Sequence, residues 1–180
     1  MSVRRYGVQT LKIMDYERYM EMALKEAEKA LAAGEFPVGS ILVYRERILA
    51  KGSRTGTKQA LANEVDHAEM VALRRLMDIK EPVERHEITL FCTMEPCLMC
   101  LGALILNNIG QIVYAYEDVM GGGTSCDLTR LAPLYRNRLI SIVPNIMRSK
   151  SLELFQTFFR NPENAYWQGS LLANYTLNQS

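Results

Sequence analysis

The chain has 180 residues, 48% hydrophobic and 23% charged, the range of an ordinary globular protein long enough to bury a core. Its 21 Lys and Arg against 20 Asp and Glu leave a net charge of +1, which excludes a general electrostatic footprint for a long polyanion and confines any nucleic-acid grip to a local patch. No segment approaches ~18 apolar residues, so no membrane span is expected, and residues 1–14 carry early Arg without the apolar run of a secretory signal.

The expected compartment is the cytoplasm, where the four cysteines stay reduced and a close pair points to metal or redox chemistry. With no internal repeat or low-complexity linker, residues 1–180 read as a single domain with a core of about 15–160 and a tail at 161–180. Over 15–33, Tyr16, Tyr19, Met20, Ala23, Leu24, Ala27, Ala30 and Leu31 recur at helical spacing, a core-facing stripe that Gly34 stops. Residues 40–44 (SILVY) and 48–51 read as a hairpin joined by Arg45-Glu46-Arg47, followed by a polar loop at 52–63. A helix is predicted over 67–77, with Met70, Val71, Leu73 and Leu76 inward and Arg74 and Arg75 outward. A short strand over 88–94 precedes Pro96, which opens a helix running to 107. Strands at 111–116 and 139–143 flank a flexible Gly121-Gly122-Gly123 loop, and 149–160 closes the core as a helix. This order predicts an α/β layered domain with a mixed sheet, antiparallel at the hairpin and parallel where helices cross over. The tail carries Tyr166, Trp167, Leu171, Leu172 and Tyr175, which pack either on the domain or on a partner.

Two short stretches carry candidate chemistry, His67-Ala68-Glu69 and Pro96-Cys97-Leu98-Met99-Cys100. Each is predicted at a helix N-terminus, where unpaired N–H groups and a partial positive charge favour thiolates. Cys97 and Cys100, three apart, place their sulfurs on one side of a helix. With His67 they offer three ligands suited to tetrahedral zinc, leaving the fourth position for water, as in catalytic zinc sites. Zinc lowers the pKa of such a water to about 7. Glu69 could take that water's proton and deliver it to a ring nitrogen and a leaving amine, which describes hydrolytic loss of ammonia from an amino-heterocycle. Each piece has a plainer account. His-x-Glu alone is an ordinary pair of solvated helix residues, and Pro-Cys-x-x-Cys alone is also a redox pair or half of a structural zinc site. Cys92 reads as core, Cys126 as core or pocket wall and His86 as a surface residue.

Taken together, H-x-E, a 26-residue gap and P-C-x-x-C are the signature of the zinc deaminases. The chain resembles the cytidine deaminase-like superfamily, and within it the bacterial tRNA-wobble adenosine deaminases and their guanine and cytosine deaminase relatives. The markers are Glu35-Phe36-Pro37-Val38-Gly39-Ser40, Asp66 to Met70 (DHAEM), 93–103 (TMEPCLMCLGA) and Phe158-Phe159-Arg160. The resemblance implies a three-layer α/β/α sandwich around a five-stranded mixed sheet, a Zn2+ cofactor on His67, Cys97 and Cys100, Glu69 as proton shuttle, and a homodimer. It also implies that Pro37-Val38-Gly39 closes one side of the base pocket. Three features depart from the tRNA enzymes: Gly52-Ser53-Arg54 stands where they carry Gly-x-Asn, Asp66 replaces a small residue, and no Lys or Arg follows Arg160. A basic patch drawn from Arg54, Lys58, Arg74, Arg75, Arg136, Arg138, Arg148 and Lys150 is the remaining route to RNA. The expected substrate is therefore a small amino-heterocycle (a free base, nucleoside or nucleotide), with tRNA adenosine-to-inosine editing as the alternative and a catalytically silent zinc-containing partner subunit as a third reading.

Overall fold

A computed structural model describes residues 14–58 and 62–179. The expectation about a signal over 1–14 therefore lies outside the described residues except at Met14, as does the 59–61 portion of the polar loop. Helix α1 (Tyr16–Ala32) starts where the Asp15 carboxylate accepts from the Arg18 N–H at 3.1 Å, an N-cap that satisfies one of the orphan donors of the first turn. Strands β1 (Gly39–Tyr44) and β2 (Arg47–Ser53) form the hairpin, whose tight turn holds Arg45 and Glu46 at positive φ. Then come α2 (Ala68–Met77), β3 (Thr89–Met94), α3 (Leu98–Leu106), β4 (Gln111–Tyr116), the single turn α4 (Pro133–Arg136), β5 (Ser141–Val143), α5 (Arg148–Arg160) and α6 (Leu171–Leu177).

The five strands lie in the order β2-β1-β3-β4-β5. β1 runs antiparallel to both β2 and β3, while β3, β4 and β5 are mutually parallel. β1 and β3 are buried along their whole length, which is why their sequences are nearly continuous apolar runs. Ile41, Val43, Phe91, Val113 and Ala115 face Tyr19, Met20, Ala23 and Leu24 of α1, with α5 beside them through Leu154. Their neighbours Leu42, Leu90, Cys92 and Ile112 face Ala72, Leu73 and Leu76 of α2 and Leu101, Leu104 and Ile105 of α3. The result is the three-layer α/β/α arrangement around a mixed sheet.

Two element readings change, and the tail, left open by its sequence, finds its place. Pro96 lies outside α3, which begins at Leu98 with Cys97 as its N-cap residue. β5 begins at Ser141 rather than 139, because β4 first offers a pairing partner at Gln111, opposite Ser141, and Leu139 is 96% exposed. The tail packs on its own domain and forms α6, whose Leu172, Ala173 and Thr176 are buried.

One backbone approach sets the site. A Cβ on Gly52 would stand 2.0 Å from the Ala68 carbonyl oxygen and 2.8 Å from the Ala72 nitrogen, so only glycine lets the first turn of α2 lie flat on β2. Gly52→Ala is expected to lower stability by about 1–3 kcal/mol. Urea unfolding checks this; an unchanged midpoint would contradict the packing described.

Candidate active site

His67 and Cys97 occupy equivalent places, each the N-cap residue of its helix in extended conformation. Their carbonyls take the first intrahelical bonds, from Val71 N–H at 2.9 Å and Leu101 N–H at 2.8 Å. The two helix starts meet so that His67 Nδ1 lies 3.5 Å from Cys97 Sγ and 3.6 Å from Cys100 Sγ. All three potential ligand atoms lie within 4.8 Å of one another, and no other such cluster occurs among the described residues. Zinc bonds of about 2.3 Å to thiolate and 2.0–2.1 Å to imidazole, at a tetrahedral angle, separate nitrogen from sulfur by about 3.6 Å. Donor set and spacing both fit one tetrahedral ion. A hydrogen bond between the two cysteines holds the Cys97 thiol well below the usual thiol range, with His67 adding to the effect, while the same bond and burial push Cys100 up.

Glu69 sits in the first turn of α2 at 3% exposure and lines the same cleft as His67 and Cys97. Burial pushes its carboxyl up, opposed by its own backbone N–H, by the nearby His67 and by a hydrogen bond from the Cys92 thiol. Cys92 is a fully buried core thiol, as its strand position suggests, and burial keeps it protonated. Phe36 and Val38 line the cleft from the loop before β1, where the resemblance puts a pocket-closing segment.

The glycine loop is pinned rather than flexible. Gly123 N–H donates to the Pro96 carbonyl at 2.9 Å, and Asp118, which lines the cleft, accepts from Met120 and Gly121 N–H groups at 2.9 Å each. Glu95 accepts from the N–H groups of Asp118 and Thr124, both at 3.1 Å. A Cβ on Gly123 would lie 2.8 Å from Leu98 N and 2.9 Å from Cys97 C, so glycine is what allows the loop to press on the Cys97–Leu98 turn. Cys126 is exposed and does not line the cleft, against the expectation of a pocket wall; a turn from Gly123 to Cys126 carries it outward. His86 is a surface residue, as expected.

Arg54 is the residue that sequence reasoning treated least well. It is 2% exposed and lines the cleft, with its guanidinium bonded to groups of its own loop. Nη1 donates to the carbonyls of Thr55, Asn63 and Asp66 at 2.7, 2.5 and 3.2 Å, and Nη2 donates to Glu64 Oε2 at 2.9 Å. It staples the loop that delivers His67. Glu64, which no motif marks, lies 3.7 Å from His67 Nε2, the ring nitrogen opposite the sulfurs, beyond hydrogen-bond distance but on the side where a carboxylate partner of a ligating imidazole stands. Asp66 points away, paired with Arg74 and accepting from Asn63 Nδ2 at 2.6 Å; the Arg74 bond holds its carboxyl below the usual range. Tyr166 and Trp167 of the tail also line the cleft, a placement that local spacing cannot reveal because it depends on a contact across the chain.

The model of the cytidine and deoxycytidylate deaminase zinc-binding region matches residues 14–116. A tRNA-specific adenosine deaminase of Streptococcus pyogenes serotype M18 (strain MGAS8232) is 32% identical over 144 residues, covering 79% of this chain and 88% of that protein. One from Bacillus subtilis (strain 168) is 29% identical over 144 residues, covering 80% and 88%. A solved structure from a study of A-to-I editing by tRNA:A34 deaminases superposes with a TM-score of 0.59 at 26% identity, covering 76% of this chain and 98% of that one. The chain belongs to the cytidine and deoxycytidylate deaminase zinc-binding family, and its activity is hydrolytic deamination.

Proposed function

We propose that His67, Cys97 and Cys100 hold a zinc ion and that Glu69 is the catalytic proton carrier in deamination of a free amino-heterocycle, a base, nucleoside or nucleotide. The observation that carries this reading is the convergence of His67 Nδ1 on both sulfurs with buried Glu69 in the same cleft. When bound, zinc supplies a Lewis acid that makes water nucleophilic at neutral pH. The carboxylate of Glu69 takes the proton of the attacking water and delivers it to the ring nitrogen, then to the departing amine. A C–O bond forms, the exocyclic C–N bond breaks, and ammonia leaves. Glu64 and Arg54 hold the His67 loop still, and the Phe36 and Val38 side of the cleft excludes bulk water.

The choice of a free substrate rests on where the cations go. Arg54 is internal, Lys58 donates to the Ala33 carbonyl at 2.9 Å, Arg75 to that of Lys51 at 2.8 Å, and Arg138 to Asn108 at 2.9 Å. Arg74, Arg148 and Lys150 pair with Asp66, Glu117 and Glu21. Seven of the eight patch cations thus have a partner within the fold, which competes with repeated phosphate contacts, and no Lys or Arg follows Arg160. The second reading, wobble adenosine editing in tRNA, is favoured by the names of the relatives at about 30% identity. A silent subunit is disfavoured because a structural zinc site has no use for a buried Glu69. No described helix is long and apolar enough to cross a membrane, and reduced cysteines suit a cytoplasmic setting.

Purified protein should carry close to one zinc per chain and release ammonia from at least one member of a panel of bases, nucleosides and nucleotides. Glu69→Gln should keep the zinc and lose about 10²–10⁴-fold in rate, whereas His67→Ala and Cys97→Ala should lose the metal. Ammonia release from anticodon stem-loop RNA alone would move the assignment to tRNA editing, and an undiminished Glu69→Gln rate would remove Glu69 from the chemistry.

The outer face of α3 is apolar as well: Leu98, Met99 and Leu106 are exposed, near-continuous with exposed Leu134 of α4, which contacts α3. A second copy of this chain is the proposed cover, in line with the family resemblance. Sedimentation should show a dimer that Leu106→Glu dissociates; a monomer with the native sequence at micromolar concentration would refute this.

A further inference from the structure

Residues 161–179 lie beyond the stretch matched by the family model, yet they build one side of the cleft. Tyr166 and Trp167 stack on each other with centroids 4.8 Å apart and planes 15° from parallel. Phe36 meets both edge-on, at 5.3 and 5.7 Å, joining them to the loop that lines the opposite part of the pocket. Tyr166 Oη donates to Glu64 Oε2 at 2.9 Å, the carboxylate that faces His67 Nε2, so the pair is tied to the candidate metal site through one group.

The segment is anchored on both sides. Asn164 Nδ2 donates to the Phe158 carbonyl and Gln168 Nε2 to that of Phe159, each at 3.0 Å, while α6 docks through Leu172 and a 3.0 Å bond between Thr176 and Tyr116 hydroxyls. Between these anchors Trp167 is held at φ 55°, a left-handed conformation that a bulky side chain adopts only when its surroundings dictate it. Both rings remain half-buried rather than absorbed into the core. Tyr166 is engaged by Trp167 on one side and by the Arg54 guanidinium over its ring, so the pair, held at some conformational cost beside His67 and Glu69, offers chiefly the Trp167 ring as a stacking surface for a flat heterocycle.

We propose that Tyr166 and Trp167 form the substrate-selecting wall of this deaminase, stacking on the ring whose amino group is removed. Specificity then resides in the tail, not in the matched core. The proposal rests on the cleft being the deamination site and adds which residues choose the ring.

Trp167 is the only tryptophan of the chain, so its emission reports directly on the wall. Zinc-loaded Glu69→Gln protein, which binds without turnover, is titrated with adenine, guanine, cytosine, their nucleosides and anticodon stem-loop RNA. A saturable change in emission with one of these is expected, and no change with any of them overturns the wall. In the native background Trp167→Ala should raise KM about 10–100-fold with kcat held within about threefold, and Trp167→Phe should restore most of the loss. A KM within about twofold of native in Trp167→Ala also overturns the proposal. An emission change confined to the stem-loop would retain the wall while rejecting the free-heterocycle reading, so the two claims fail separately.

Discussion

Everything at the site depends on two helix N-termini being brought face to face. His67 caps α2, Cys97 caps α3, and their side chains meet within 3.6 Å because α3 starts just after β3 while the loop from β2, bonded to Arg54, delivers His67 to the same place. The price of that geometry is steric. Gly52 removes a Cβ that would strike the Ala68 carbonyl, and Gly123 removes one that would strike the Cys97–Leu98 turn. What the arrangement supplies is a concentrated set of backbone dipoles around thiolates and an imidazole, with Glu69 carried into the cleft on the turn that follows His67.

A second layer of contacts keeps this meeting point rigid. Arg54 gathers three carbonyls and Glu64, and Glu64 faces the imidazole from behind while accepting from Tyr166. A buried guanidinium with that many partners is a structural group, since losing it would leave several buried carbonyls unsatisfied. The same contacts bind the C-terminal tail to the front of the catalytic cleft. Core chemistry and tail-dependent substrate choice are therefore parts of one hydrogen-bonded unit.

Much of this could be read from the residues in order. His67, Cys97 and Cys100 stand out because candidate ligand types at fixed local spacing form one cluster, Glu69 because it lies two residues from His67, and β1 and β3 because burial on both faces demands apolar runs. The misreadings share a cause: each concerned a residue whose place is set by backbone groups and turns that residue type and spacing do not reveal. Arg54 read as part of a basic patch because its charge is visible and its carbonyl partners are not. Gly121-Gly122-Gly123 looked loose because glycine lowers local preference, whereas Pro96, Glu95 and Thr124 pin the segment. Cys126 looked like pocket wall for its place beside those glycines, but a single turn faces it outward. Glu64 and the Tyr166–Trp167 pair have no local signal at all.

The central claim is a zinc ion held by three side chains with one position left for chemistry. X-ray absorption at the zinc edge of the purified protein tests it most directly. The account predicts two sulfur neighbours at about 2.3 Å, one imidazole nitrogen at about 2.0–2.1 Å, and one further light atom that a competitive ligand displaces. A shell of three or four sulfurs, or one in which no light ligand exchanges, would contradict it.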